Sequence, residues 1–200
     1  MIKAIVFDFG DVLADDGFKM AREAILDTRK YPQELVDHAF ENNLWHDWDK
    51  GLVPSKEYWD EFAKILGKRN MRKVKKFMVK NTKLRPRMID LVKSLKAHYK
   101  VGLLSNTVPE LKKEVNKLNG LFDEFILSYK VHMRKPDKEI YLLTAEKLDL
   151  KPEECLFIDD REYVLDAALE CGFEGILFKS EKGLTQELKE RQLWNELINI

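Results

Sequence analysis

Acids, a Ser-Asn pair and a lysine stand at or just beyond the ends of short apolar runs in this chain. Ile5-Val6-Phe7 ends on Asp8, Val101-Gly102-Leu103-Leu104 on Ser105-Asn106, and Cys155-Leu156-Phe157-Ile158 on Asp159-Asp160; Lys135-Pro136-Asp137 follows the run Glu124-Phe125-Ile126-Leu127. If these runs are strands of one parallel sheet, their carboxyl ends open on a single edge and converge on one crevice. Three carboxylates confined there repel one another unless a cation intervenes. An all-oxygen donor set selects a hard ion, and Mg²⁺ in particular keeps waters and binds through one or two carboxylates plus a substrate phosphate. Lys135 and Ser105 then offer that phosphate a positive charge and a donor. The set describes phosphoryl chemistry, with Asp8 as the reactive group. Taken alone, Asp8 reads equally well as an ordinary cap on a strand end.

The elements that would carry these residues follow from periodicity. Apolar runs at residues 101–104, 124–127, 155–158 and 175–178 alternate with amphipathic stretches at 108–118, 137–148, around Val164-Leu165 and Ala168-Leu169, and at 185–198. Strands alternating with helices of roughly 10–15 residues predict an α/β fold built on a parallel sheet of about five strands with right-handed crossovers. Between residues 15 and 83 no buried-strand run occurs and the spacing is helical throughout. Met20, Ala24 and Ile25 share one face, and Leu35, Val36, Ala39 and Phe40 the next, which opens with Pro32 as a first-turn residue. Ser55 is placed to cap a helix carrying Tyr58, Trp59, Phe62, Ile65 and Leu66, and Pro86 begins another with Met88, Leu91, Val92 and Leu95.

Composition narrows the possibilities. With 200 residues, 44% hydrophobic and 35% charged, the chain can bury one sizeable core with a substantial insertion. Lysine plus arginine and aspartate plus glutamate each number 35, so a formal net charge of zero gives no support to a nucleic-acid or anionic-membrane partner. The amino terminus lacks the flanks of a targeting peptide, and no apolar stretch approaches membrane-spanning length. A cytoplasmic protein is expected, its Cys155 and Cys171 buried and reduced. His38, His46, His98 and His132 have no ligand spacing. His46 lies among Trp45, Asp47 and Trp48, a cluster that reads first as core and second as a substrate contact. The basic run from Lys68 to Lys80 reads as a solvated helix face with a buried stripe.

The order Asp8-Phe9-Gly10-Asp11-Val12, Leu104-Ser105-Asn106, Arg134-Lys135-Pro136-Asp137-Lys138-Glu139-Ile140-Tyr141 and Phe157-Ile158-Asp159-Asp160 resembles the haloacid-dehalogenase-like (HAD) hydrolase superfamily across almost the whole chain. The resemblance implies a Rossmann-like core with helices on both faces of the sheet, made of residues 1–14 and 84–200. A small helical cap over residues 15–83 would close on the crevice and select substrate. It further implies a two-step hydrolysis in which Asp8 attacks phosphorus, forms an aspartyl-phosphate and is freed by water. Mg²⁺ would be held by Asp8, the Gly10 carbonyl and the Asp159-Asp160 pair. Because consecutive strand residues face opposite ways, Asp160 is expected to bind it directly and Asp159 through water. Ser105, the Asn106 backbone amide and Lys135 would bind the transferring phosphoryl group. The expected substrate is a small phosphorylated metabolite; nothing in the spacing specifies its identity or an oligomeric state.

One position departs from the family pattern. Phosphatases of the superfamily usually carry an acid two residues after the nucleophile, for proton transfer to the leaving oxygen; here that residue is Gly10, and Asp11 stands one place further on. Losing such assistance costs about 10²–10⁴ in rate. The alternative reading is therefore a weak or noncatalytic ligand-binding or regulatory protein on the same fold, with Asp11 a turn former. Haloacid dehalogenation is less favoured, because that chemistry has no use for the Asp159-Asp160 pair.

Overall fold

The computed structural model describes residues 1–194. Its centre is β1, Ala4–Phe7, flanked by β2 (Lys100–Ser105) and β4 (Cys155–Asp159), with β3 (Glu124–Leu127) and β5 (Glu174–Leu177) outside them; the order is β3-β2-β1-β4-β5 and every pairing is parallel. All four residues of β1 are buried, as a strand covered on both faces requires. Alternation divides its side chains: Ile5 and Phe7 join Val101, Leu103, Leu156 and Ile158 on one face, whereas Ala4 and Val6 join Leu104 and Phe157 on the other. Helices α6 (Pro86–Lys96) and α11 (Glu181–Glu190) cover the first face with Leu91, Val92, Leu184 and Leu188. Helices α9 (Lys138–Lys147) and α10 (Glu162–Glu170) cover the second with Ile140, Tyr141, Val164 and Ala168. The chain runs outward from β1 to β2 and β3, then crosses back to β4. That reversal leaves a crevice at the carboxyl ends of β1 and β4.

Between β1 and α6 lie five helices: α1 (Gly17–Leu26), α2 (Gln33–Phe40), α3 (Trp45–Asp49), α4 (Ser55–Leu66) and α5 (Lys68–Asn81). They enclose an apolar cluster of their own, including Ala21, Val36, Phe40, Trp48, Tyr58, Phe62 and Met78, which Val108 enters from beyond β2. Trp48 stacks on Tyr58 with ring centroids 3.8 Å apart. Helical spacing holds here, but the buried stripes are narrower than the apolar ones: Met20 is 36% and Leu35 37% exposed. The Lys68–Lys80 run buries Val74 and Met78 on α5.

Local expectations differ from the structure in five places. Cys171, expected to be buried like Cys155, stands partly exposed just after α10. Pro32 precedes α2 as its cap instead of sitting in its first turn. Ser55 is the first helical residue of α4 instead of its cap, because its hydroxyl is engaged elsewhere: it accepts from Trp48 Nε1 at 3.0 Å and donates to Glu110 Oε2 at 3.1 Å. The helix expected over 108–118 is a 3₁₀ turn, Pro109–Leu111, followed by the short α7 (Lys112–Asn116). Glu110 in that turn also accepts from Trp59 Nε1 at 2.7 Å, a contact with α4 that local periodicity does not encode. The last helix starts earlier than expected, at Glu181, where the Ser180 hydroxyl accepts from Gly183 N; residues 195–198 of the expected span lie outside the described residues. No helix among the described residues is long and apolar enough to cross a membrane.

Candidate functional site

Asp8 follows directly on β1, its backbone N–H donating to Ile158 O of β4 at 2.9 Å, so the sheet ladder fixes where its side chain begins. Asp159 is the last residue of β4 and Asp160 the residue after it. Lys135 arrives from the loop before α9 and is fully buried between two of these acids: Nζ donates to Asp8 Oδ1 and, at 2.6 Å, to Asp159 Oδ2. The lysine's backbone is held by Asn106, whose Oδ1 accepts from Lys135 N and whose Nδ2 donates to Lys135 O, both at 2.8 Å. The Asn106 side chain thus anchors the lysine loop, a role separate from the backbone amide singled out in the sequence. Ser105 ends β2 and is buried beside it.

The two members of the acidic pair differ as the pleat requires. Asp159 is fully buried, with Oδ2 on Lys135 and Oδ1 accepting from Arg161 N at 3.0 Å. The Asp160 side chain is 24% exposed and makes a long ion pair, at 3.9 Å, to Arg161. Burial pushes the Asp8 carboxyl up to about 6 against the pull of Lys135. Burial opposes ionisation of Asp159 as well, but Lys135 and Arg161 together outweigh it and hold that carboxyl below the usual range. Burial, then the neighbouring Asp159 charge, raises Asp160. Carboxylate oxygens of Asp8, Asp159 and Asp160 lie within 4.8 Å of one another. Three acids against the cations Lys135 and Arg161 leave the cluster short of positive charge, and its all-oxygen donor set fits a hard divalent ion.

Around the turn after β1 the charges pair off. Asp11, at φ 55°, uses Oδ2 to accept from Lys19 Nζ at 2.8 Å and faces Arg85, which also donates to its backbone carbonyl. That matches the turn-former reading. Asp15 pairs with Arg85 at 3.3 Å. Asp16 caps α1, its Oδ1 accepting from Phe18 N and Lys19 N at 3.0 Å each, and burial raises its carboxyl above the ordinary range.

A cavity of about 310 Å³ rises from this edge towards α1–α3, walled by Phe18, Phe40 and Trp45 and edged by Arg22 and Arg134. Trp45 stacks on Phe18 at 4.9 Å and faces the cavity, and Trp48, buried in the helical cluster, lines it as well, so these aromatics serve as core and as wall at once. Arg134 Nε reaches both oxygens of Asp49, at 3.1 and 2.8 Å, tying α3 to the lysine loop. His132, four residues before that loop's proline, meets Lys50 O at 2.9 Å. Sequence reasoning missed Arg161, Asp16, Lys19 and the Arg134–Asp49 pair. A signal existed for Arg161, which directly follows the acidic pair, and for Asp16, an acid just before a helix; none existed for the pair, whose members are far apart in the chain.

The profile of the haloacid dehalogenase-like hydrolases matches residues 2–172. The chain belongs to this family. It is 29% identical over 201 residues to a D-ribitol-5-phosphate phosphatase of Bacteroides thetaiotaomicron, covering 92% of this HAD-like hydrolase and 94% of the relative. A HAD-family enzyme of the same organism, solved in complex with magnesium and inorganic phosphate, superposes with a TM-score of 0.73 at 24% identity over 90% of this chain and 96% of the other. An L-2-haloacid dehalogenase of Xanthobacter autotrophicus superposes at 0.63 with 22% identity, over 99% and 86%. Both superpositions show the HAD fold, and the fold alone does not separate attack on phosphorus from attack on carbon.

Proposed function

We propose that this HAD-like hydrolase is a Mg²⁺-dependent phosphomonoesterase acting on a small phosphorylated metabolite. The observation that carries the reading is the cluster at the β1/β4 crevice: Asp8, Asp159 and Asp160 within 4.8 Å, with the buried Lys135 bridging the first two. Two acids beyond the nucleophile have no task in dehalogenation but suit a divalent ion beside a phosphate. The phosphatase named among the relatives supports the same choice.

In this reading Asp8 attacks phosphorus in line and carries an aspartyl-phosphate until water releases it. Lys135 holds Asp8 in place and, with the Ser105 hydroxyl and the Asn106 backbone amide, offsets charge on the phosphoryl oxygens. Asp8, the Gly10 carbonyl and Asp160 would hold Mg²⁺, with Asp159 reaching it through water; the ion would supply charge stabilisation at the phosphoryl oxygens. Residues 1–14 and 84–200, of which 195–200 lie outside the described residues, would form the catalytic core, and 15–83 the cap that shapes the larger cavity against the substrate's organic part. A cytoplasmic setting accords with the free thiols of Cys155 and Cys171.

Phosphate release from an aryl phosphate, measured with Mg²⁺ and after chelation, tests the proposal. Release that needs the metal and disappears in Asp8→Asn is expected; no release from wild type, or full release from Asp8→Asn, overturns it. The second reading, a site that binds without turnover, rests on the missing side chain at Gly10, and the same wild-type measurement decides it.

A further inference from the structure

We infer that Asp16 is the proton-transferring acid of this site, reaching over Gly10 into the place a residue-10 side chain would take. The inference rests on the phosphomonoesterase reading. A Cβ built on Gly10 would meet Asp16 before anything else: Oδ2 at 3.7 Å, Cβ and Cγ at 3.8 Å. The space vacated by the missing side chain therefore holds a carboxyl group after all, delivered from eight residues past the nucleophile instead of two.

Three further observations support this. First, the two oxygens of Asp16 are differently engaged. Oδ1 accepts both backbone N–H groups at the start of α1, which fixes the carboxyl plane, while no hydrogen bond among the described residues reaches Oδ2, the oxygen nearest Gly10. Second, Asp16 stands where substrate must cross from one compartment to the other. A pocket of about 280 Å³ contains Asp8, Asp11 and Asp160, and the 310 Å³ cavity lies above it; Gly10, Asp16, Lys19, Asn106 and Arg161 line both. With the phosphoryl group in the lower pocket and the organic part in the upper cavity, the bridging oxygen lies at this boundary. Third, the neighbouring acids are taken. Asp11 is paired with Lys19, and Asp15 with Arg85.

The step balances without an outside reagent. As an Asp8 oxygen forms its bond to phosphorus, the bond from phosphorus to the substrate's bridging oxygen breaks, and the Asp16 proton passes to that oxygen to give the free alcohol. In the second half, the Asp16 carboxylate takes a proton from water as the water oxygen attacks phosphorus. Asp8 leaves as carboxylate, inorganic phosphate is released, and Asp16 is protonated again.

Asp16→Asn keeps a good helix cap and removes only the proton-transfer capacity. The readout is kcat/KM at a single pH for two probes, β-glycerol phosphate, whose alkoxide leaves poorly without a proton, and dinitrophenyl phosphate, whose aryl oxide needs none. The expected result is a loss of about 10²–10⁴ on the alkyl ester and a far smaller loss on the aryl ester. Gly10→Asp in the Asp16→Ser background, where the shorter side chain frees that space, is expected to restore alkyl turnover, since Gly10 has no left-handed φ and the atoms nearest its Cβ position are those of Asp16. Equal losses on both probes, or no loss on either, overturn the inference. No phosphate released by wild type from either probe instead overturns the phosphomonoesterase reading. Asp16→Ser, another good cap, replaces the Asn variant if that one fails to fold.

Discussion

The carboxyl edge of the sheet and the α1–α5 layer above it are built on opposite principles. At the edge, charge is buried: Asp8, Lys135 and Asp159 are each at most 4% exposed and held by a few short hydrogen bonds. In the helical layer, stability comes from apolar area, with Trp48, Tyr58, Trp59 and Phe62 packed ring against ring. Removing a partner from a buried ion pair strands a charge, whereas truncating an aromatic ring leaves a void the surrounding helices can partly close. The edge should therefore tolerate little change in either stability or chemistry, and the layer should lose stability with the chemistry largely preserved.

Lys135→Met presses hardest on that contrast. It leaves two buried carboxylates without their shared cation, so activity should fall to background and metal-free stability by about 3–5 kcal/mol in urea unfolding. A stable variant with normal activity would show that the cluster does not depend on its lysine. Trp48→Ala in the layer should cost a similar amount, about 3–5 kcal/mol, while folded enzyme still turns over a small aryl phosphate. Complete loss of that activity in folded protein would erase the distinction between the two regions.

The joint between them is sensitive to pH. Burial pushes the Asp49 carboxyl from 3.8 up to about 6 despite Arg134. A carboxyl raised in the folded state contributes stability at low pH that is lost as pH rises through about 4 to 6, on the order of 3 kcal/mol in all. Unfolding measured across that window should show this fall on top of the one from Asp8, which is raised over the same range, and Asp49→Asn should make it shallower; an unchanged slope would place the titration elsewhere. The smallest effect belongs to Asp11→Asn. Its pair with Lys19 is solvent-accessible, so stability should change by about 0.2–1 kcal/mol and turnover should hold. A large drop in turnover would move the proton-transfer role from Asp16 to Asp11.

How much was legible differs between the two regions for the same reasons. Asp8, Ser105, Asp159 and Asp160 could be found because each lies at the end of a short apolar run, and in a parallel sheet that position alone dictates where the residue goes; Lys135 stands further on, past a short helix after β3, and is brought to the edge by the hold of Asn106 on its loop. In the layer, periodicity located helices but not which apolar residues would be covered, so Met20 and Leu35 read as buried and stand partly exposed. Ser55 looked like a cap until its hydroxyl was claimed by Trp48 and Glu110, the latter arriving from beyond β2.

What the sequence by itself determined is the α/β class, the strand ends and the residue types gathered on them, because strand alternation and strand-end position are local properties of the chain. The vacancy at Gly10 was equally plain there. Only the tertiary structure decided what fills it. A cap residue's spare oxygen is aimed by the path of α1 as it packs on its neighbours, and that path depends on contacts such as α1 against α5 that no local pattern encodes.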